Sequence, residues 1–204
     1  MAVKAPNRFM VDRAEMEREF AHWWAVGNAG EDWASWVKLF TPDASYLDHF
    51  WGPLRGREQI DPWIHAVMKG VPEIYGVLDW YTIDDNVVTF HYQNRRDNPS
   101  DEGPPYWDFA GLTVLWYAGD GLWAGEEDFW DRTGARDTSI EYAAACARAG
   151  VTEPLLRMTR HHWPASPEWA RWEAPPAPSW LTRDDLPAIT KPRELRDLLA
   201  RSVG

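Results

Sequence analysis

Two periods govern the apolar positions of this chain, one near 3.6 residues up to about residue 70 and one near 2 from there to about residue 131. After a loose lead over residues 1–10, Asp12 with Glu15 three residues on reads as a capping box that opens a helix. Met16, Phe20, Trp23, Trp24 and Gly27 share one face of it, and Asn28-Ala29-Gly30 ends it. A second helix is predicted over Glu31–Phe40, with Trp33, Trp36, Val37 and Phe40 inward. Thr41-Pro42-Asp43 reads as a turn, Ala44–His49 as a strand and Gly52-Pro53-Leu54-Arg55-Gly56 as a loop. A third helix carries Ile60, Trp63, Ile64, Val67 and Met68 to Gly70, with Asp61 as its cap and Pro62 at its first position. Strands follow near 75–83, 87–96, 107–118 and 122–131. Asp84-Asp85-Asn86 and Gly119-Asp120-Gly121 are hairpin turns, and Asn98–Pro105 is a longer loop. This order predicts an α+β fold: a curved antiparallel sheet wrapped around N-terminal helices, with a cavity between them.

Beyond Asp131 the pattern changes again. Asp137-Thr138-Ser139 caps an Ala-rich helix that runs to about Gly150. A Trp/Pro-rich stretch follows, with Pro175-Pro176-Ala177-Pro178 within it, and Lys191–Ser202 is a last amphipathic helix with Leu195, Leu198 and Leu199 on one side. The chain therefore divides into a body, residues 1–131, and an extension, residues 132–204. Trp163, Trp169, Trp172 and Trp180 in the extension cannot all stay in water cheaply, so it is expected to pack on the body or on a partner subunit.

Composition narrows the classes. A chain of 204 residues with 45% hydrophobic and 26% charged residues can bury a core without staples, and its single cysteine, Cys146, excludes an internal disulfide and a multi-cysteine zinc site. No apolar run is long enough to span a membrane, and the first residues lack the apolar stretch of a secretory signal, so a cytoplasmic location is expected. The net charge of -11 disfavours nucleic acid and anionic membrane as partners. Fifteen tryptophans point to a core and interface rich in indole, or to an aromatic-walled pocket for a small apolar molecule.

Particular segments then narrow the fold. They are Val26-Gly27-Asn28-Ala29-Gly30, Leu39-Phe40-Thr41-Pro42-Asp43-Ala44-Ser45-Tyr46-Leu47-Asp48, Gly52-Pro53-Leu54-Arg55-Gly56-Arg57-Glu58-Gln59-Ile60, Tyr117-Ala118-Gly119-Asp120-Gly121 and Glu127-Asp128-Phe129-Trp130-Asp131. Over residues 12–131, about 60% of the chain, the sequence resembles the nuclear transport factor 2-like superfamily and, within it, the SnoaL-like and limonene-epoxide-hydrolase-like members. The resemblance implies a cone-shaped fold, a homodimer, and acid/base chemistry without cofactor or metal on a small apolar or polycyclic molecule.

Three constellations carry that chemistry. Asp48, two residues after Tyr46 and on the same strand face, matches the general base of ketosteroid-isomerase-like members, although their donor tyrosine and second acid fall at Trp23 and Thr113 here. Arg95-x-Asp97 with Asp128, plus the Tyr46-x-Asp48 pair, resembles the epoxide-hydrolase arrangement, in which one carboxylate activates water, the other protonates the epoxide and an arginine sits between them. His91 with Asp48 resembles the dehydratase arrangement, with His91, Gln93 and Arg95 on one strand face. Epoxide hydrolysis is the leading expectation; an isomerase, dehydratase or cyclase using Asp48 and His91, and a non-catalytic binding module, are the alternatives. His65 is expected on the solvent side of its helix, His49 opposite to Asp48, and Cys146 buried and inert. Glu126 and Glu127 point to opposite faces, and the adjacent His161-His162 do not form a metal pair.

Overall fold

The computed structural model describes residues 7–151, 166–171 and 177–201. Helix α1, Arg13–Trp24, buries Met16, Phe20, Trp23 and Trp24, the face given by the sequence pattern. Its capping box does not form: Asp12 makes no side-chain cap, and Glu15 instead accepts from the Tyr117 hydroxyl at 2.9 Å. The helix widens into a π turn over Ala25–Ala29, where Gly27 lets the Trp36 ring approach. A Cβ at Gly27 would lie 2.4 Å from that ring.

The second helix is shorter than predicted. Asp32 caps α2, Trp33–Trp36, by accepting from the Ser35 N–H, and a 3-10 turn over Val37–Leu39 follows. Strand β1 then runs Phe40–Asp48 straight through the expected turn at Thr41-Pro42-Asp43. Gly52–Arg55 is a strand as well, β2, antiparallel to the end of β1. Helix α3, Gly56–Gly70, starts earlier than its Asp-Pro signal, and Pro62 lies inside it. Asp61 is therefore no cap; it meets Arg183 of the extension at 2.9 Å.

Strands β3 (Tyr75–Asp84), β4 (Val87–Asp97), β5 (Tyr106–Gly119) and β6 (Leu122–Trp130) form an antiparallel meander. The six-stranded sheet has the order β2-β1-β6-β5-β4-β3. It is mixed, because β1 pairs with β6 in parallel. That pairing puts Tyr46 beside Glu126 and Asp48 beside Asp128. The inner face packs on α1 to α3 through a largely aromatic core that includes Phe20, Trp23, Trp24, Trp36, Phe40, Phe90 and Trp123.

Helix α4, Arg132–Ala149, follows β6 directly. Asp131 caps it, accepting from Thr133 N and Gly134 N, so Asp137-Thr138-Ser139 lies within the helix and not at its start. Cys146 is half-buried on it rather than buried. The described part of the extension lies across the body. The Trp24 indole donates to Ala170 O, Ser166 Oγ donates to Leu78 O, Ile189 N donates to Ala66 O, and Trp180 and Ile189 join the core. Helix α5, Pro192–Arg201, buries Leu195 and Leu198. His65 is fully buried under this strap, against Asp61 O and Ser179 Oγ, and not on the solvent side. Residues 1–6, His161, His162, Trp163, Trp172 and the Pro175-Pro176 pair lie outside the described residues. Among the described residues no helix is long and apolar enough to cross a membrane.

Candidate active site

Between the sheet and the helices lies a cavity of about 910 Å³. Its walls are aromatic: Trp23, Trp33, Trp36, Trp63, Phe90, Tyr92, Phe109 and Trp130 are among the lining residues. Polar groups converge at one place on the sheet, where β1, β6 and β5 lie side by side. Alternation turns Tyr46, Thr113, Glu126 and Asp128 into the cavity, and the strand register lines them up across the sheet.

The Tyr46 hydroxyl bridges the two acids. It lies 3.0 Å from Glu126 Oε1 and in a short hydrogen bond to Asp128 Oδ2. Thr113 Oγ1 donates to Asp128 Oδ1. One tyrosine proton cannot serve two carboxylates, so one acid must carry a proton of its own. Burial away from water pushes Glu126 well above the usual carboxylate range, and the nearby Asp128 charge pushes it further. Burial likewise raises Asp128 to about 7, with the Asp48 charge adding to the rise and bonds from Thr113 and Tyr46 opposing it. Protonation is therefore favoured at Glu126, whose Oε2 has no hydrogen-bond partner among the described residues; a charged oxygen left bare there would be costly. Asp128 is the carboxylate poised to exchange a proton near neutrality. Burial raises the Tyr46 and Tyr92 hydroxyls well above the ordinary tyrosine value, so both stay protonated as donors. Gly111 makes room for the Tyr92 ring, which a Cβ there would meet at 2.4 Å.

Asp48 is buried next to this group but is occupied by its own turn. Its Oδ1 accepts from Phe50 N at 2.7 Å and Trp51 N at 2.9 Å, and its Oδ2 accepts from the Trp130 indole at 3.0 Å. Burial raises its pKa, and those three donors pull the other way. It reaches Asp128 through charge.

The other predicted partners are not brought here. His91 and Arg95 do share a strand face, but it is the outer one; Phe90, Tyr92, Asn94 and Arg96 line the cavity. Arg95 makes a two-pronged pair with Asp108 at 2.6 and 2.7 Å and lies 3.7 Å over the Tyr106 ring. His91 bonds Asp79 at 2.9 Å and stacks on Trp80, so the His91–Asp48 pair does not form. Asp97, at the end of β4, accepts from the Tyr75 hydroxyl at 2.6 Å. The Asp–Arg–Asp arrangement around Asp128 is therefore not assembled. His49 does lie opposite to Asp48, bonded to Glu127 and stacked on Phe129. Glu126 is the residue that the sequence reading missed. The period of two on β6 already put Glu126 and Asp128 on one face, and that was the signal. Among the described residues no group of three or more His, Cys, Asp or Glu is placed to hold a metal ion.

A sequence profile described as the SnoaL-like domain matches residues 16–126. No curated protein matches by sequence. Among solved structures, two Shewanella proteins named "putative SnoaL-like polyketide cyclase" share the fold. The one from Shewanella denitrificans OS-217 is 15% identical, with a TM-score of 0.51 over 63% of this chain and 99% of its own. The one from Shewanella putrefaciens CN-32 is 12% identical, with a TM-score of 0.50 over 64% of this chain and 88% of its own. At such identities they bear on the fold alone. With the profile spanning more than half of its residues, the chain belongs to the SnoaL-like domain family.

Proposed function

We propose that this protein is an acid/base catalyst of the isomerase or cyclase type, acting at a carbon next to a carbonyl in a bulky, mostly apolar substrate. The observation that carries this reading is the Glu126–Tyr46–Asp128 chain, a buried hydrogen-bonded group that opens on an aromatic cavity and sets one tyrosine hydroxyl between two acids. The Asp128 carboxylate takes the proton from the α carbon, and the C–H electrons flow to the carbonyl oxygen to give an enolate. The enolate then either bonds through its carbon to a second carbonyl carbon of the same molecule, whose C=O π electrons move to its oxygen to leave an alkoxide, or, where a C=C is conjugated to it, takes a proton at the γ carbon. In either case the proton held by Asp128 returns to the product, and no group beyond these side chains is needed to move it. Aromatic walls exclude water and strengthen the hydrogen bonds around the developing charge.

Epoxide opening gains less support, because Arg95 is held by Asp108 on the other sheet face. A binding module without turnover is the reading to test against. Glu126→Gln and Asp128→Asn keep shape and remove the two acids. We expect turnover of an active member of a panel of polycyclic ketones, enones and epoxides to fall by about 100-fold or more. Quenching of tryptophan fluorescence by the same ligands should persist. Turnover in both variants at the wild-type rate, or ligand binding with no turnover across the panel, would remove the catalytic reading.

A further inference from the structure

The floor of the cavity is acidic, but another part of its wall is basic. Arg96, Arg132 and Arg136 all line it, in a chain whose net charge is -11. Arg96 is buried and its charge is met by Glu73 at 2.9 Å, and Arg136 pairs with Asp137 at 2.8 Å. Arg132 differs from both. Its guanidinium lies 4.8 Å over the Phe50 ring, and among the described residues no carboxylate pairs with it. Phe50 packs edge-on against Trp51 and Trp130 at 5.2 Å each, so the arginine rests on an aromatic shelf that is itself part of the cavity wall. A guanidinium laid on a ring face keeps its N–H groups free at the edge. Asp131, the neighbour in sequence, turns its Oδ1 back onto Thr133 N and Gly134 N at the helix start and forms no ion pair with Arg132 among the described residues.

We infer that Arg132, on the Phe50–Trp51–Trp130 shelf, binds an anionic oxygen group of a ligand whose apolar body fills the cavity; the ligand class is an aromatic or polycyclic acid. The inference rests on the reading that the cavity takes a bulky apolar molecule. Charge then sorts the ligand end for end. Asp128 repels an anion from the floor, and Arg132 holds it at the shelf, so the uncharged carbonyl end is presented to Glu126 and Asp128.

Two fluorescent probes of similar shape test this: 8-anilinonaphthalene-1-sulfonate, which is anionic, and N-phenyl-1-naphthylamine, which is neutral. Each is titrated into the full chain and into Arg132→Gln, Arg132→Lys and Arg132→Glu. We expect Arg132→Gln to weaken the anionic probe by roughly 10-fold, the scale of a charged hydrogen bond, and to leave the neutral probe unchanged. Arg132→Lys should recover part of the loss, and Arg132→Glu should deepen it. Added salt should weaken only the anionic probe. Unchanged binding of the anionic probe by Arg132→Gln, or equal weakening of both probes, would overturn the inference. This is an equilibrium measurement, so it stands apart from turnover. A wild-type protein that turns over substrate but shows no preference for the anionic probe counts against Arg132 alone, and an inactive protein that keeps the preference counts only against the catalytic reading.

Discussion

Asp128 is held by opposing effects, of which the raising ones prevail. Burial and the Asp48 charge favour its protonated form, while Thr113, Tyr46 and Glu126 hydrogen bonds favour the carboxylate, and the balance falls at about 7. If Asp128 is the base, kcat/KM should rise with pH through an apparent pKa near 7. Asp48→Asn removes a like charge while keeping a side chain that can accept from Phe50 N and Trp51 N, so this limb should move to lower pH. An unmoved limb would show that Asp48 does not act on Asp128. Stability has the opposite sign. A carboxyl whose folded pKa lies above its unfolded value stabilises the fold at acid pH, and that contribution is lost as pH rises from about 4 through about 7. Relative to Asp128→Asn, the wild-type melting temperature should therefore fall by several degrees between pH 5 and pH 8, as read by thermal denaturation. The residues behind this prediction were only partly legible in the sequence. Tyr46, Asp48 and Asp128 stood out because their types and spacing suggested proton chemistry. Glu126 does not, because its adjacent Glu127 lies on the opposite face, and its partner Asp128 is two residues away in a run whose inward face is not marked by type alone.

At the scale of elements, alternation says which residues share a face but not which face is inward. His91 and Arg95 therefore share a face as the alternation predicts, but that face is the outer one. The core of β4 is built from Val88, Phe90 and Tyr92, and the intervening His91 and Gln93 bond Asp79 on the outer surface. Local start signals failed for similar reasons. The Asp61-Pro62 signal was overridden because the chain already turns helical at Gly56, which has a φ of 68° and no space for a Cβ next to Pro42 O at 2.8 Å. Asp131 was the effective start of α4. Asp131→Ala should cost about 1 kcal/mol, measured by urea denaturation. Because α4 carries Arg132 and Arg136 to the cavity, the same variant should also weaken binding of the anionic probe. A denaturation midpoint equal to wild type would show that the cap contributes nothing.

At the scale of the molecule, the extension is part of the cavity. Ile189 is buried, lines the cavity and places its carbonyl where any side chain at Gly70 would collide, at 2.2 Å from a Cβ. Lys69 Nζ donates to Arg183 O and Leu186 O, which ties the strap to the end of α3. Ile189→Ala should lower stability by about 2–4 kcal/mol and lower the melting temperature accordingly. It should also admit larger ligands, read by comparing affinities across probes of increasing size. A variant that melts like wild type would mean that the strap adds no wall.

Periodicity, turn chemistry and composition alone determined the helix-then-meander order, the aromatic core face of α1, the hairpins and an acidic chain rich in indole. These are local properties, set by which residues recur every two or 3.6 positions. The tertiary structure alone decided that β1 runs parallel to β6, and that one pairing puts Tyr46 beside Glu126 and Asp48 beside Asp128 across 80 residues of chain. It also decided which face of β4 lines the cavity and that the extension supplies part of its wall. No local pattern encodes these outcomes, because they depend on which surfaces lose water together when distant segments meet. The raised pKa of Glu126 follows from that meeting, since the fold takes its carboxyl out of water and sets another acid next to it.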